Sequence, residues 1–226
     1  MENDFNWDNC DMKTNGEYYF LKCWAKTWEI CLDIGANEGS YAQSLMELNP
    51  NCRVICFEPN PVLVSRITEK GIKEVYNTAV GADIRPVIIN INTKDPGLSS
   101  VFRKNTNTRP LEVPQITIDD FVLKNYLSHI DFIKIDTEGS ELAVLRGAKN
   151  FLACQAIDMI QFEYGGTYLD AGITLKEVYE LLDENYIIYH IYPSELKPFK
   201  YSETLETYQY SNWAAVSRQK AGRLLC

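Results

Sequence analysis

The stretch EICLDIGANEGSYAQSL, residues 29–45, decides how this chain is read. ICLDI is a buried strand by its apolar run, GANEG is a turn, and SYAQSL opens a helix. A strand, a glycine turn and a helix in that order form the floor on which doubly wound α/β folds hold nucleotide-like ligands. The dinucleotide fingerprint places three glycines there. This turn has two, Gly35 and Gly39, with Asn37 where the middle one belongs. Both glycines let the backbone turn sharply and come close to a ligand. The question is which ligand suits a glycine-poor turn flanked by acids.

Outward from this turn, strand and helix alternate, which predicts an α/β fold with a mostly parallel sheet. ICLDI leads to a helix at 40–48, RVICFE to a helix at about 61–70, and KEVYNTAV reads as a third strand. A less regular insertion at about 84–118 holds the β-like runs PVIINI and EVPQITI among four prolines. A helix begins near Asp119, IDFIKID is a fourth strand with a helix from 139 to 152, and IDMIQFEY is a fifth before a helix at 174–184. YIIYHIY and NWAAVS then follow with only a polar loop between them, which predicts an antiparallel hairpin at one sheet edge. Residues 1–28 read as an N-terminal helical cap with a helix in GEYYFLKCWAKTW, residues 29–219 as the main domain, and 220–226 as a tail.

The net charge of −9, from 22 basic and 31 acidic residues, argues against a phosphate-backbone partner, so nucleic acid is not expected. Seven dispersed cysteines without a C-x-x-C pair indicate reduced thiols. MENDFNWDNCDMK lacks the basic and apolar regions of a signal peptide, and no apolar run is long enough for a membrane span. The expectation is a cytoplasmic protein without a membrane partner. Oligomeric state is left open.

Asp33 ends the first strand and Glu38 lies inside the turn. Two carboxylates repel a pyrophosphate but attract a ligand with an ammonium and a sulfonium. S-adenosylmethionine is such a ligand, and a dehydrogenase ranks last. Glu58, about 20 residues on, is placed to accept hydrogen bonds from ribose hydroxyls. The expected cofactor residues are Asp33, Gly35, Ala36, Asn37, Gly39, Glu58, Pro59, Asn60, Asn77, Ala79, Val80 and Asp136.

DIGANEGSYA, CFEPNP, NTAVG, LSSVF and IDFIKIDTEGSELAVLRGA together resemble the FkbM-type S-adenosylmethionine-dependent methyltransferases, over about residues 30–165. The resemblance implies the class I methyltransferase fold, a three-layer Rossmann-like sandwich. Its sheet has seven strands, mostly parallel, with the seventh inserted antiparallel beside the sixth. It also implies O-methylation, often of sugars or natural products. Ser99 and Ser100 resemble the family's serine pair over the cofactor or acceptor.

In IDFIKID, period-2 alternation sets Ile133 and Ile135 on one face and Phe132, Lys134 and Asp136 on the other. An alcohol acceptor must lose a proton, so a general base is expected among Asp136, Glu138 and Glu163. Lys134 is either a further catalytic group or the buried partner of Asp136. Glu141 reads first as a helix-dipole partner. The three carboxylates could also surround a divalent cation, but no histidine supports this and no metal is expected. Tyr164 and Tyr168, in a glycine-rich loop at 163–174, are candidates for stacking on the acceptor. His190 reads as a core residue, and His129 lies at the wrong strand end.

The leading expectation is methyl transfer to a hydroxyl of a small molecule, sugar or glycan. The alternatives are an RNA ribose 2'-O-methyltransferase and a catalytically silent partner-binding module.

Overall fold

The computed structural model describes residues 8–103 and 105–224. In chain order these form α1 (Glu17–Trp24), β1 (Ile30–Ile34), α2 (Ser40–Leu48), β2 (Arg53–Phe57), α3 (Pro61–Glu69), β3 (Glu74–Tyr76) and β4 (Ala79–Val80). The middle of the chain gives β5 (Val87–Asn92), β6 (Thr108–Val113), β7 (Gln115–Ile116), α4 (Ile118–Lys124), β8 (Ile130–Ile135), α5 (Glu141–Arg146) and α6 (Lys149–Ala153). The remainder gives β9 (Ile157–Tyr164), α7 (Thr167–Ala171), α8 (Leu175–Leu182), β10 (Tyr186–Ile191), β11 (Leu196–Pro198), β12 (Ser211–Ser217) and α9 (Arg218–Leu224).

The main sheet has the order β11-β10-β12-β9-β8-β1-β2-β3. β3, β2, β1, β8 and β9 run parallel, and β12 lies antiparallel between β9 and β10. The hairpin partner therefore inserts inside the sheet instead of ending it. The sheet has eight strands where the sequence led us to expect seven. The extra one is β11, three residues paired with β10 at the open edge. Lys197 and Pro198 blunt that edge, and a run so short and polar has no strand signature.

Alternation along the strands separates two cores. Leu32, Ile34, Ile133, Ile135, Ile160 and Phe162 face α4, α5 and α8. Cys31, Cys56, Phe132, Met159 and Val216 face α1, α2 and α3. The result is a three-layer α/β/α sandwich. α1 belongs to the second core rather than lying beside the domain: Phe20 and Leu21 are fully buried. Trp28, just after α1, stacks on Phe132 at 4.2 Å between ring centroids. Such a pair adds about 0.5–1.5 kcal/mol beyond its area burial.

Three further elements differ from the sequence reading. KEVYNTAV is two strands, because Asn77 turns its amide onto the Glu58 and Pro59 carbonyls and the chain leaves the sheet to pair β4 with β7. The helix expected at 139–152 breaks at Gly147, whose added Cβ would lie 2.0 Å from the Gly81 carbonyl oxygen. Residues 218–224, read as domain end and tail, form α9. The insertion folds as an antiparallel β5–β6 pair. Among the described residues no helix is long and apolar enough to cross a membrane.

Candidate functional site

The strand order reverses between β1 and β8, and a crevice opens there at the carboxyl ends of the strands. It holds a cleft of about 410 Å³. Gly35, Asn37, Glu58, Pro59, Ala79 and Val80 line one half, and Asp136, Glu138 and Glu163 line the other. The segment 96–101, with Ser99 and Ser100, adjoins both.

The first half is built by the opening turn. Gly35 has φ +79°, and a Cβ there would sit 1.8 Å from the Asp136 carbonyl oxygen, so only glycine fits. Asn37, where the third glycine was missing, takes the left-handed conformation itself at φ +50°. Asparagine tolerates this region better than most residues. Its N–H donates to Glu58 Oε2 at 2.9 Å, and the Asn60 N–H donates to Glu58 Oε1 at 2.8 Å. Glu58 is thus fixed by two amides while each oxygen keeps a lone pair for a ligand. Burial pushes its carboxyl up to about 7, against the pull of those two amides.

Asp33 is 3% exposed, and neither carboxylate oxygen has a hydrogen-bond partner among the described residues. Burial raises its carboxyl to about 6, with the Lys134 charge pulling it back. A buried, unsatisfied carboxylate is costly and asks for a cationic or donor partner. Together with the glycine cradle and the Glu58 acceptor, it fits a ligand with ribose hydroxyls and an ammonium.

The second half is acidic. Lys134 is buried and donates to Asp136 Oδ2 at 2.7 Å, which is the structural pairing considered from the sequence. Burial would lower the Lys134 ammonium, but Asp136, Asp33 and Glu17 together raise it, so it stays a cation. Glu138 sits at φ +54°, an uncommon conformation for a non-glycine residue. The Ser100 hydroxyl holds its carbonyl at 2.7 Å, and burial followed by the Asp136 charge raises its carboxyl to about 8. Glu163 is driven well above the usual range by burial, then by Asp136, Glu138 and Glu141, and shares a hydrogen bond with Asp136. Glu141 accepts from the Thr137 and Gly139 amides and closes the β8–α5 loop, a structural role.

Several residues expected at the site are elsewhere. Tyr164 and Tyr168 are both fully buried in the core, ring against ring at 4.9 Å, so neither reaches an acceptor. The alternation of β9 turns Tyr164 inward, and residues 167–171 are a helix where a loop was expected. Ser99 and Ser100 line the cleft, but their hydroxyls are held by the Pro96 and Glu138 carbonyls. Glu38 pairs with Arg66 at the surface, leaving Asp33 as the acid beneath the turn. Gly39 packs against Ile67 and Ile72, Asn60 caps α3, Asn77 binds backbone, and Ala36 lines a neighbouring recess with Lys134. Asp136, Glu138 and Glu163 do not converge on one point. Among the described residues the one trio of donors within 4.8 Å is His129, Asp131 and Asp158, away from the cleft. His190 is buried among Tyr192, Phe199 and Trp213.

The sequence reading missed Cys10, Thr78, Arg103 and Tyr210, all lining the cleft. Thr78 lies within NTAVG but was passed over for its neighbours, the other three sit in no quoted motif, and Cys10 and Tyr210 arrive from opposite ends of the chain.

This chain is similar to the 2-O-methyltransferase NoeI of Sinorhizobium fredii, 28% identical over 68% of this chain and 70% of that protein. It is also similar to the hexuronic acid methyltransferase AglP of Haloferax volcanii, 26% identical over 69% of this chain and 62% of that protein. The chain thus spans less than two thirds of the archaeal relative's length. Among solved structures, the plantazolicin methyltransferase BpumL in complex with SAH shares the fold, with TM-score 0.51 and 14% identity over 94% of this chain and 88% of that one. The Methyltransferase FkbM domain matches residues 33–188, from the Asp33 turn through both halves of the cleft. The chain belongs to the FkbM methyltransferase family and is an S-adenosylmethionine-dependent methyltransferase.

Proposed function

We propose that the protein transfers the methyl group of S-adenosylmethionine to a hydroxyl oxygen of a sugar or a similar small hydroxylated acceptor. The observation that carries this reading is the division of one cleft. Gly35, Asn37 and Glu58 make a cradle for the donor with Asp33 buried beneath it, and Asp136, Glu138 and Glu163 lie across from it at the ends of the adjoining strands. Glu58 would hold the ribose hydroxyls and Ala79 and Val80 would border the adenine, with the buried Asp33 carboxylate beneath the turn supplying negative charge for the cationic end. When bound, the donor supplies an electrophilic methyl carbon with a neutral thioether as leaving group.

The chain's own residues then position the acceptor oxygen and take its proton. Positioning supplies much of the acceleration in such an in-line displacement. Glu138 is the base in this reading. It has no side-chain hydrogen-bond partner among the described residues, and a carboxyl near 8 is matched to proton abstraction near neutrality. Lys134 holds Asp136 and, as a cation, is no base. Glu163, driven up by burial and hydrogen-bonded to Asp136, keeps its side of the acceptor recess neutral enough to admit a hydroxyl. An acid-lined cleft in a chain of net charge −9 favours a sugar over RNA. One relative's transfer to a 2-O position and the other's hexuronic acid acceptor support the substrate class.

The reading is tested by incubating the protein with methyl-labelled donor and an array of simple glycosides. Labelled methyl ether is the expected product, and tight binding of S-adenosylhomocysteine without transfer to any hydroxyl would count against it.

A further inference from the structure

The acceptor half of the cleft carries an unusual balance of charge. Asp136, Glu138 and Glu163 line it, and Glu17 lies in the adjoining recess below Cys10. Among the described residues the two cations lining these recesses are both engaged, Lys134 by Asp136 at 2.7 Å and Arg103 by Asp170 at 2.9 Å. An anionic group entering here therefore meets carboxylates and, among the described residues, no unengaged counter-charge.

An aromatic wall accompanies these carboxylates. Tyr210 and Cys10 both line the cleft and both lie outside the family match at residues 33–188. They are brought together by a pair of hydrogen bonds between Asp8 and Tyr210: the Asp8 N–H donates to the Tyr210 carbonyl, and the Tyr210 N–H to the Asp8 side-chain Oδ1, each at 3.1 Å. Ser211 pairs with Tyr164, so Tyr210 stands one residue beyond β12, against Gly165. Its hydroxyl accepts from Asn212 Nδ2 at 3.1 Å, which fixes the ring. Burial, followed by Glu163, Glu17 and Asp136, raises the Tyr210 phenol, so it stays a neutral ring beside the acids. Next to it, Gly166 leaves open space where a side chain would project.

We propose that Tyr210 and the carboxylates Asp136, Glu138 and Glu163 form the acceptor subsite, that it takes an uncharged or amine-bearing sugar ring, and that it excludes hexuronates. The inference rests on the sugar reading above and separates this chain's acceptor from the one named for its archaeal relative. A pyranose presents an apolar C–H face that packs on a tyrosine ring, while its hydroxyls, or an ammonium, meet the carboxylates. In the form active as a base Glu138 is ionised close to Asp136, so a hexuronate brings a further carboxylate into a partly desolvated acidic recess, and such like-charge contacts are unfavourable.

The test compares three methyl hexopyranosides as acceptors: neutral, 2-amino and uronate. The expected result is a kcat/KM at least about tenfold higher for the neutral or amino sugar than for the uronate. Tyr210→Ala is expected to raise the acceptor KM about tenfold with kcat and S-adenosylhomocysteine affinity within about threefold, and Tyr210→Phe to restore it. Gly166→Phe, filling the open space, is expected to block the acceptor while the donor product still binds, and serves if Tyr210→Ala fails to fold. Equal or preferred use of the uronate overturns the inference, as does an unchanged acceptor KM in a folded Tyr210→Ala or Gly166→Phe. Transfer to none of the three, with S-adenosylhomocysteine still bound, sinks the sugar reading itself and this inference with it.

Discussion

Lys134 Nζ lies 2.7 Å from Asp136 Oδ2, and the strand register places Asp33 directly beside the same lysine. One buried ammonium therefore stands between two carboxylates, one bonded and one not. Removing the lysine leaves Asp33 buried, and Asp136 partly buried, without a counter-charge. Lys134→Met is expected to destabilise the protein by about 2–3 kcal/mol, below the full value for a buried pair because Asp136 is 31% exposed. Urea unfolding of Lys134→Met and of Lys134→Met/Asp136→Asn checks this. The double variant should recover much of the loss, since the unpaired charge has gone.

Asp33→Asn should separate stability from binding. The native carboxylate is buried with no hydrogen-bond partner among the described residues, so neutralising it is expected to raise the apo urea midpoint at pH 8. The same change removes the negative charge proposed to attract the donor's ammonium, and S-adenosylhomocysteine affinity should fall about tenfold to hundredfold by calorimetry. A variant that loses stability and keeps affinity would show that Asp33 is a purely structural acid.

The acids of the cleft set a pH dependence with a definite sign. Asp33 and Glu141 are raised to about 6, Glu58 to about 7 and Glu138 to about 8. In each case the folded state holds its proton more tightly than the unfolded chain. Their contribution to stability is complete below the ordinary carboxylate range and is lost as pH rises through these folded values. The apo midpoint is expected to fall steadily between about pH 5 and 8, and saturating S-adenosylhomocysteine should flatten the decline by supplying an ammonium. A midpoint that rises across this window would contradict the assignment.

The parts of the site that the sequence displayed are those set by local chain geometry. Gly35, Asn37 and Glu58 were legible because a strand–turn–helix places them by offset alone, and the face shared by Phe132, Lys134 and Asp136 follows from period-2 alternation. Asn37 at positive φ resolves the missing glycine: the turn keeps its shape with a residue that tolerates it. Tyr164 and Tyr168 misled because a tyrosine beside glycines resembles a binding loop, whereas the inward face of β9 and the short helix α7 bury both. Tyr210 and Cys10 were invisible for the opposite reason. Their proximity comes from tertiary pairing of segments about 200 residues apart, which no local pattern encodes.

Glu138→Gln addresses the chemistry directly. Three carboxylates border the acceptor half, but Asp136 is bonded to Lys134 and Glu163 is hydrogen-bonded to Asp136. Glu138 alone among them has its carbonyl clamped by Ser100, its backbone held at φ +54°, and its carboxylate without a bonding partner among the described residues. A base must be deprotonated to act, so wild-type kcat/KM should climb with pH through a limb near 8. Glu138→Gln should lower kcat by about 10²–10⁴-fold, abolish that limb, and leave S-adenosylhomocysteine affinity nearly unchanged. Retention of the limb in this variant would move the base to Glu163 or Asp136, and the matching Glu163→Gln profile would then tell which, because removing the true base removes the limb.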